Sequence, residues 1–118
     1  ASGGFDEDFF LYSEETDWQL RIRKLGWKIH WVPQAVSTHL GGSSGLSHKE
    51  VIREHFFSSV DLYFLKHYGR LGVLSLRCAT AVGAALRWIL ATANRNPSGE
   101  EVFAWVFKRQ STRAIPRT

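Results

Sequence analysis

The chain has 118 residues, 44% of them hydrophobic and 22% charged, which fits one domain with a modest core and excludes a disordered chain. The net charge of +4 is unevenly spread: residues 1–47 hold four Lys/Arg against six Asp/Glu, and residues 48–118 hold eleven against five. The single cysteine, Cys78, excludes an internal disulfide. It lies in an apolar run, reads as an inert core or interface residue, and fits a reducing cytoplasm.

Residues 1–12 read as a loop with an extended apolar end. Ser13 is placed to cap a helix, with Glu14 and Glu15 in a first turn whose dipole favours negative charge. Trp18, Ile22 and Leu25 recur at helical spacing and predict one apolar face. Asp17 and Arg21 form an i,i+4 pair, and Gly26 ends the helix. Residues 27–32 alternate with period two, putting Trp27, Ile29 and Trp31 on one side and Lys28 and His30 on the other. That predicts a half-buried strand closed by Pro33, with a second short strand over Ala35 to His39. Gly41 to Gly45 is a loop.

Ser47 and Glu50 have capping-box spacing, ahead of a helix whose face carries Ile52, Phe56, Val60, Tyr63 and His67 and which stops at Gly69. A third helix is predicted from about Leu71 to Ala93. Arg77 and Arg87 interrupt it and argue against a membrane span, at about 2.5–3.5 kcal/mol each in mid-bilayer. A packed or interfacial helix is expected instead. A linker follows at residues 94–99, then a short helix to about Gln110 with Phe103, Trp105 and Phe107. The last eleven residues carry Lys108, Arg109, Arg113 and Arg117 and no acid. A basic, aromatic-rich second half suits an anionic membrane surface. Nothing resembles a nucleic-acid module, so no nucleic-acid partner is expected.

Six acids crowd against aromatics in residues 3–17, a pattern that points to binding or proton transfer. Glu14, Glu15 and Asp17 could supply a proton acceptor kept ionised at a helix start. The plainer reading is that they cap the helix and pair with Arg21. The run from Gly3 to Gly45, GGFDEDFFLYSEETDWQLRIRKLGWKIHWVPQAVSTHLGGSSG, resembles the acceptor-side half of an inverting family 2 glycosyltransferase of the GT-A fold. Enzymes of that type build bacterial cell-surface polysaccharide.

The resemblance implies an α/β fold class: a piece of a Rossmann-like domain, here mostly helical with two or three short strands. Residues 1–46 would be the acceptor-side part of the catalytic domain and residues 47–118 a C-terminal helical extension. It implies a hexosyltransferase that takes a nucleotide-sugar donor and a saccharide or lipid-linked acceptor, with rhamnose the first guess for the sugar. The family carries a Glu-Asp pair, an Asp two residues later, then an Arg. Glu14-Glu15, Asp17 and Arg21 match those positions, so Glu15 stands where the family has its catalytic base, as Glu where Asp is usual. Asp17 is the second choice for the base, and Glu14 an orienting or acceptor-contacting group.

Gly3, Gly4, Phe5 and Asp6, with Trp18, match the acceptor cleft. Arg21, Ser43 and Ser44 match diphosphate contacts, although the two serines could simply serve a turn. His39 precedes a Gly/Ser segment like the one where a family histidine meets the metal and diphosphate; the alternative is a structural histidine. The triplet Asp6-Glu7-Asp8 spells D-x-D but belongs to the GGFDE element, so it is not assigned as the metal signature.

A divalent metal, Mn or Mg, is expected to be held mainly by an N-terminal half outside these residues. The N-terminus shows no signal-peptide pattern and starts inside a motif, so the chain reads as part of a longer protein, inactive alone. The expected location is the cytoplasm, peripheral to the inner face of the plasma membrane, with self-association to cover exposed strand edges. The competing reading is a non-catalytic helical module for membrane docking or oligomerisation.

Overall fold

Residues 2–38, 49–93 and 98–112 are described by the computed structural model, and three helices account for the regular structure there. They are α1, Glu14–Lys24; α2, Lys49–Ala93; and α3, Ser98–Thr112. The chain divides into two compact units, Ala1–Tyr63 and Phe64–Thr118. The boundary falls within α2.

In the first unit, α1 begins after two consecutive residues in the left-handed region, Tyr12 (φ 69°) and Ser13 (φ 68°). Ser13 sits at the cap position, yet its side chain makes no capping bond. Its carbonyl instead accepts from the Asp17 N–H at 2.9 Å. The C-terminus follows the expected chemistry. Gly26 is left-handed (φ 87°), its N–H donates to Arg23 O, and the Trp27 N–H reaches back to Ile22 O. These two bonds satisfy two of the last carbonyls of the helix, and a side chain at position 26 would oppose the turn. Of the predicted apolar face, Trp18 and Ile22 are half-buried, while Leu25 is exposed at the helix end.

The loop before α1 is fastened to the first stretch of α2. Phe9 is buried, Phe10 packs on His55, and the Tyr12 ring meets Phe56 edge-on at 5.5 Å. The Ser59 hydroxyl donates to Leu11 O at 2.7 Å. This contact shifts the buried side of α2 from the predicted one. Ser59 and Asp61 are buried, whereas Ile52, Val60, Tyr63 and His67 are half-buried and Phe56 is exposed.

The α/β expectation is not met: no strand occurs among the described residues. Residues 27–32 are irregular and residues 33–34 turn, with the Ala35 N–H bonding Val32 O. The second predicted strand is irregular over residues 35–38, and His39 lies outside the described residues. Alternation selects a face but cannot by itself make a strand. A ladder needs a neighbouring chain to take its N–H and C=O groups, and none of the described residues provides one. Trp27 and Trp31 consequently stand 71% and 87% exposed.

In the second unit, α2 is interrupted at Gly69, whose φ of 68° and ψ of −168° are not helical. This is the position where the sequence predicts a helix to end. Three residues on, Gly72 fits tightly: a Cβ there would lie 2.4 Å from Tyr68 Cβ. The resumed helix packs through Val73, Ala84 and Ala91, which are buried with Leu65 and Val106. Rings of Trp88, Phe103 and Phe107 stack in series at 5.5 and 6.1 Å and tie α2 to α3.

Candidate functional site

The site predicted from sequence centres on α1 and the glycine-bearing loop before it, and the link between them is Arg21. Its Nε donates to Asp17 Oδ2 at 2.7 Å. Its two terminal nitrogens donate to Ser2 O and Gly4 O. One guanidinium thus bonds a carboxylate one helical turn back and two backbone carbonyls 19 and 17 residues away. Only a planar fork of donors can serve three acceptors in this way.

Asp17 is fully buried beside it. Gly3 and Gly4 are both left-handed, φ 76° and 70°, which lets the loop curl around the guanidinium. Trp18 adds a second tie: its indole N–H donates to Ser2 Oγ at 3.1 Å, and Phe5 meets its ring edge-on at 5.5 Å. Gly3, Gly4, Phe5, Trp18, Asp17 and Arg21 are therefore brought together. Asp6 shapes the next turn. Its carboxylate accepts from the Asp8 N–H at 3.0 Å, and its carbonyl accepts from the Phe9 N–H. That local turn gives the D-x-D triplet a structural role.

The three candidate acids have different surroundings. Asp17 is committed to Arg21. Glu14 is half-buried, and its Oε2 is shut off from solvent with no hydrogen-bond partner among the described residues. Glu15 is exposed in the first turn of α1. The left-handed pair Tyr12-Ser13 sets the direction in which this turn presents its acids. Non-glycine residues there cost about 1–2 kcal/mol each, which contacts elsewhere in the unit must offset.

His39, Ser43 and Ser44 lie outside the described residues. Among the described residues, no three His, Cys, Asp or Glu gather as a metal would require. The part of Ser2 in binding both Arg21 and Trp18 was missed by sequence reasoning. No pattern signals it, because its carbonyl does half the work and every residue has one. A shallow open depression also lies at the far end of α1, lined by Arg23, Gly26, Trp27, Lys28, Ile29 and His30. No residue of the predicted site lines it.

No family model matches the chain. No solved structure matches it. Among curated proteins it is similar to the N-acetylglucosaminyl-diphospho-decaprenol L-rhamnosyltransferase of Mycobacterium tuberculosis, in strain CDC 1551/Oshkosh and in strain ATCC 25618/H37Rv. Each is 33% identical over 95 residues, covering 72% of this chain and 31% of the relative. The chain spans about a third of the length of the curated relatives it matches. The similarity is to a glycosyltransferase, the class that residues 3–45 resemble. It does not extend to a family 2 assignment or to the GT-A fold.

Proposed function

We propose that the chain is the acceptor-side part of an inverting, family 2 sugar transferase, with Glu15 as its general base. The donor is a nucleotide-activated sugar of the rhamnose class, and the acceptor a lipid-linked saccharide. The acceptor hydroxyl oxygen attacks the anomeric carbon as the bond from that carbon to the diphosphate breaks. Glu15 takes the hydroxyl proton, and the nucleoside diphosphate leaves with the bonding electron pair. Attack from the face opposite the leaving group inverts the anomeric centre.

The observation that carries this reading is the arrangement around Arg21, taken with the glycosyltransferase similarity. Asp17 and Arg21 satisfy one another and hold the GGF loop, which leaves Glu15 as the exposed carboxylate of the first turn. A carboxylate placed there can accept a proton from an attacking hydroxyl. Glu14, next to Glu15 in the same turn, is the acceptor-contacting or orienting group, through the oxygen other than its enclosed Oε2. The acceptor then lies along Gly3, Gly4, Phe5, Asp6 and Trp18.

On this reading the residues described are inactive alone, and the enzyme works from the cytoplasm at the inner face of the plasma membrane. The test is Glu15→Gln in a protein carrying the full length of the relatives, assayed for transfer from a nucleotide-sugar. Loss of a base should lower kcat about 10²–10⁴-fold with little change in donor KM. A rate near that of the unmutated enzyme removes Glu15 from the role.

A further inference from the structure

Tyr12 (φ 69°) and Ser13 (φ 68°) are the only non-glycine residues with positive φ among those described. Left-handed backbone is disfavoured for L side chains, and most of all for a bulky one such as Tyr12. A helix start does not require it. The Ser13 side chain caps nothing here, and a helix is ordinarily entered from extended backbone. Such outliers persist only where the surroundings hold them, and they gather at ligand sites.

The surroundings do hold this one. On one side the Ser59 hydroxyl donates to Leu11 O at 2.7 Å, and on the other the Asp17 N–H donates to Ser13 O at 2.9 Å. The Tyr12 ring meets Phe56 edge-on at 5.5 Å, and Phe56 is braced in the same way by Phe57 at 5.4 Å. An edge-on contact occupies at most one face of the tyrosine. The ring stays 38% exposed, and no described residue bonds its hydroxyl. Packing alone would be served as well by phenylalanine. A fixed, half-open ring with a polar tip suits a saccharide: C–H groups of a pyranose pack on the aromatic face while sugar hydroxyls bond the phenol.

Position adds to this. Tyr12 lies three residues before Glu15, so their Cα atoms are no more than about 11 Å apart. One sugar residue can therefore rest on the ring and offer a hydroxyl to the carboxylate.

We propose that Tyr12 is an acceptor-binding residue, its ring the stacking surface for the pyranose whose hydroxyl Glu15 deprotonates. This rests on the transferase reading above and extends the acceptor site from the GGF loop and Trp18 to the entry of α1. The chemistry also names a class of sugar. A pyranose with equatorial substituents, as in the gluco configuration, leaves its axial C–H groups free to meet a flat ring.

The test uses a protein carrying the full length of the relatives. Tyr12→Asn removes the ring yet suits left-handed backbone. It should raise the acceptor KM about tenfold, with the donor KM and the urea midpoint little changed. Tyr12→Phe keeps the ring and its packing and should raise the acceptor KM a few-fold through the lost hydroxyl alone. Saturation-transfer NMR with methyl β-N-acetylglucosaminide needs no turnover. Saturation should reach the axial protons of C1, C3 and C5, which share one face of the sugar, and should fall away in Tyr12→Asn.

An acceptor KM unchanged in either variant overturns the proposal, as does equal saturation transfer in Tyr12→Asn and the unmutated protein. So does a Tyr12→Asn protein whose two KM values rise together as its urea midpoint falls, which would make Tyr12 a packing residue only. Should Tyr12→Asn fail to fold, Tyr12→Phe decides, because the hydroxyl it removes bonds no described residue. A retained rate in Glu15→Gln with an acceptor KM raised by Tyr12→Asn sinks only the base assignment. A lost rate in Glu15→Gln with an unmoved acceptor KM sinks only this proposal.

Discussion

Replacing Arg21 with alanine tests the physical core of the site. The substitution leaves the Asp17 carboxylate, fully buried, without the guanidinium 2.7 Å away. Breaking a buried pair by removing one partner costs about 3–5 kcal/mol. The Arg21 side chain is 24% exposed, so solvent already weakens the attraction and the lower end applies, about 3 kcal/mol. The bonds to Ser2 O and Gly4 O add little to that figure, because water can replace the arginine at carbonyls near the surface. Arg21→Lys should cost about 1–2 kcal/mol: it keeps the charge but cannot reach all three acceptors.

Hydrogen exchange read residue by residue is the assay, because it reports the first unit separately from the second. A loss of about 3 kcal/mol should lower protection of the α1 amides about a hundredfold. Asp17→Ala/Arg21→Ala should be less harmful than the sum of its single changes, by about 0.5–3 kcal/mol. If Arg21→Ala shifts α1 protection by less than about 0.5 kcal/mol, or Arg21→Lys matches the unmutated chain, the clamp is not what orders this loop.

Further outcomes follow from the backbone. Gly72→Ala should destabilise by about 1–3 kcal/mol in urea titration, although alanine is the better helix former, because its methyl would meet Tyr68. A gain in stability would show that the backbone between Tyr68 and Gly72 shifts at little cost. Gly69→Ala should cost about 1–3 kcal/mol, because φ 68° with ψ −168° is a conformation essentially confined to glycine, and an unchanged urea midpoint would mean that α2 straightens at no cost. Ser13→Gly should be neutral or up to about 1 kcal/mol stabilising, since it relieves a left-handed serine whose hydroxyl caps nothing. A loss of about 1 kcal/mol would instead reveal a working cap.

The helices and their ends were legible because their signals are local. Period 3.6 spacing, acids at the start of α1 and Gly26 at its end all act within a turn or two of the chain. The Asp17–Arg21 pair is legible for the same reason, being set by one helical turn. Gly69 also announced itself, since few other residues sit easily at its backbone angles. The candidate acids could be located, but not ranked: local pattern places Glu14, Glu15 and Asp17 together and says nothing of which one is buried, half-buried or exposed.

What depends on distant partners was not legible. Trp27, Ile29 and Trp31 alternate as a strand would, yet pairing is a property of two segments, and among the described residues no second one is present. Ser59 stands outside the predicted apolar face, and its burial depends on a hydroxyl bond to Leu11 O, 48 residues away. The exposed apolar residues from Leu71 to Ile89 would serve equally well as a core, and only the position of α3 across Trp88 and Phe103 shows which side of α2 is taken. Sequence alone determined where the chain coils into helices, because those bonds close over four residues. The tertiary structure decided which faces are covered and that Arg21 grips the loop, because such contacts join groups many residues apart.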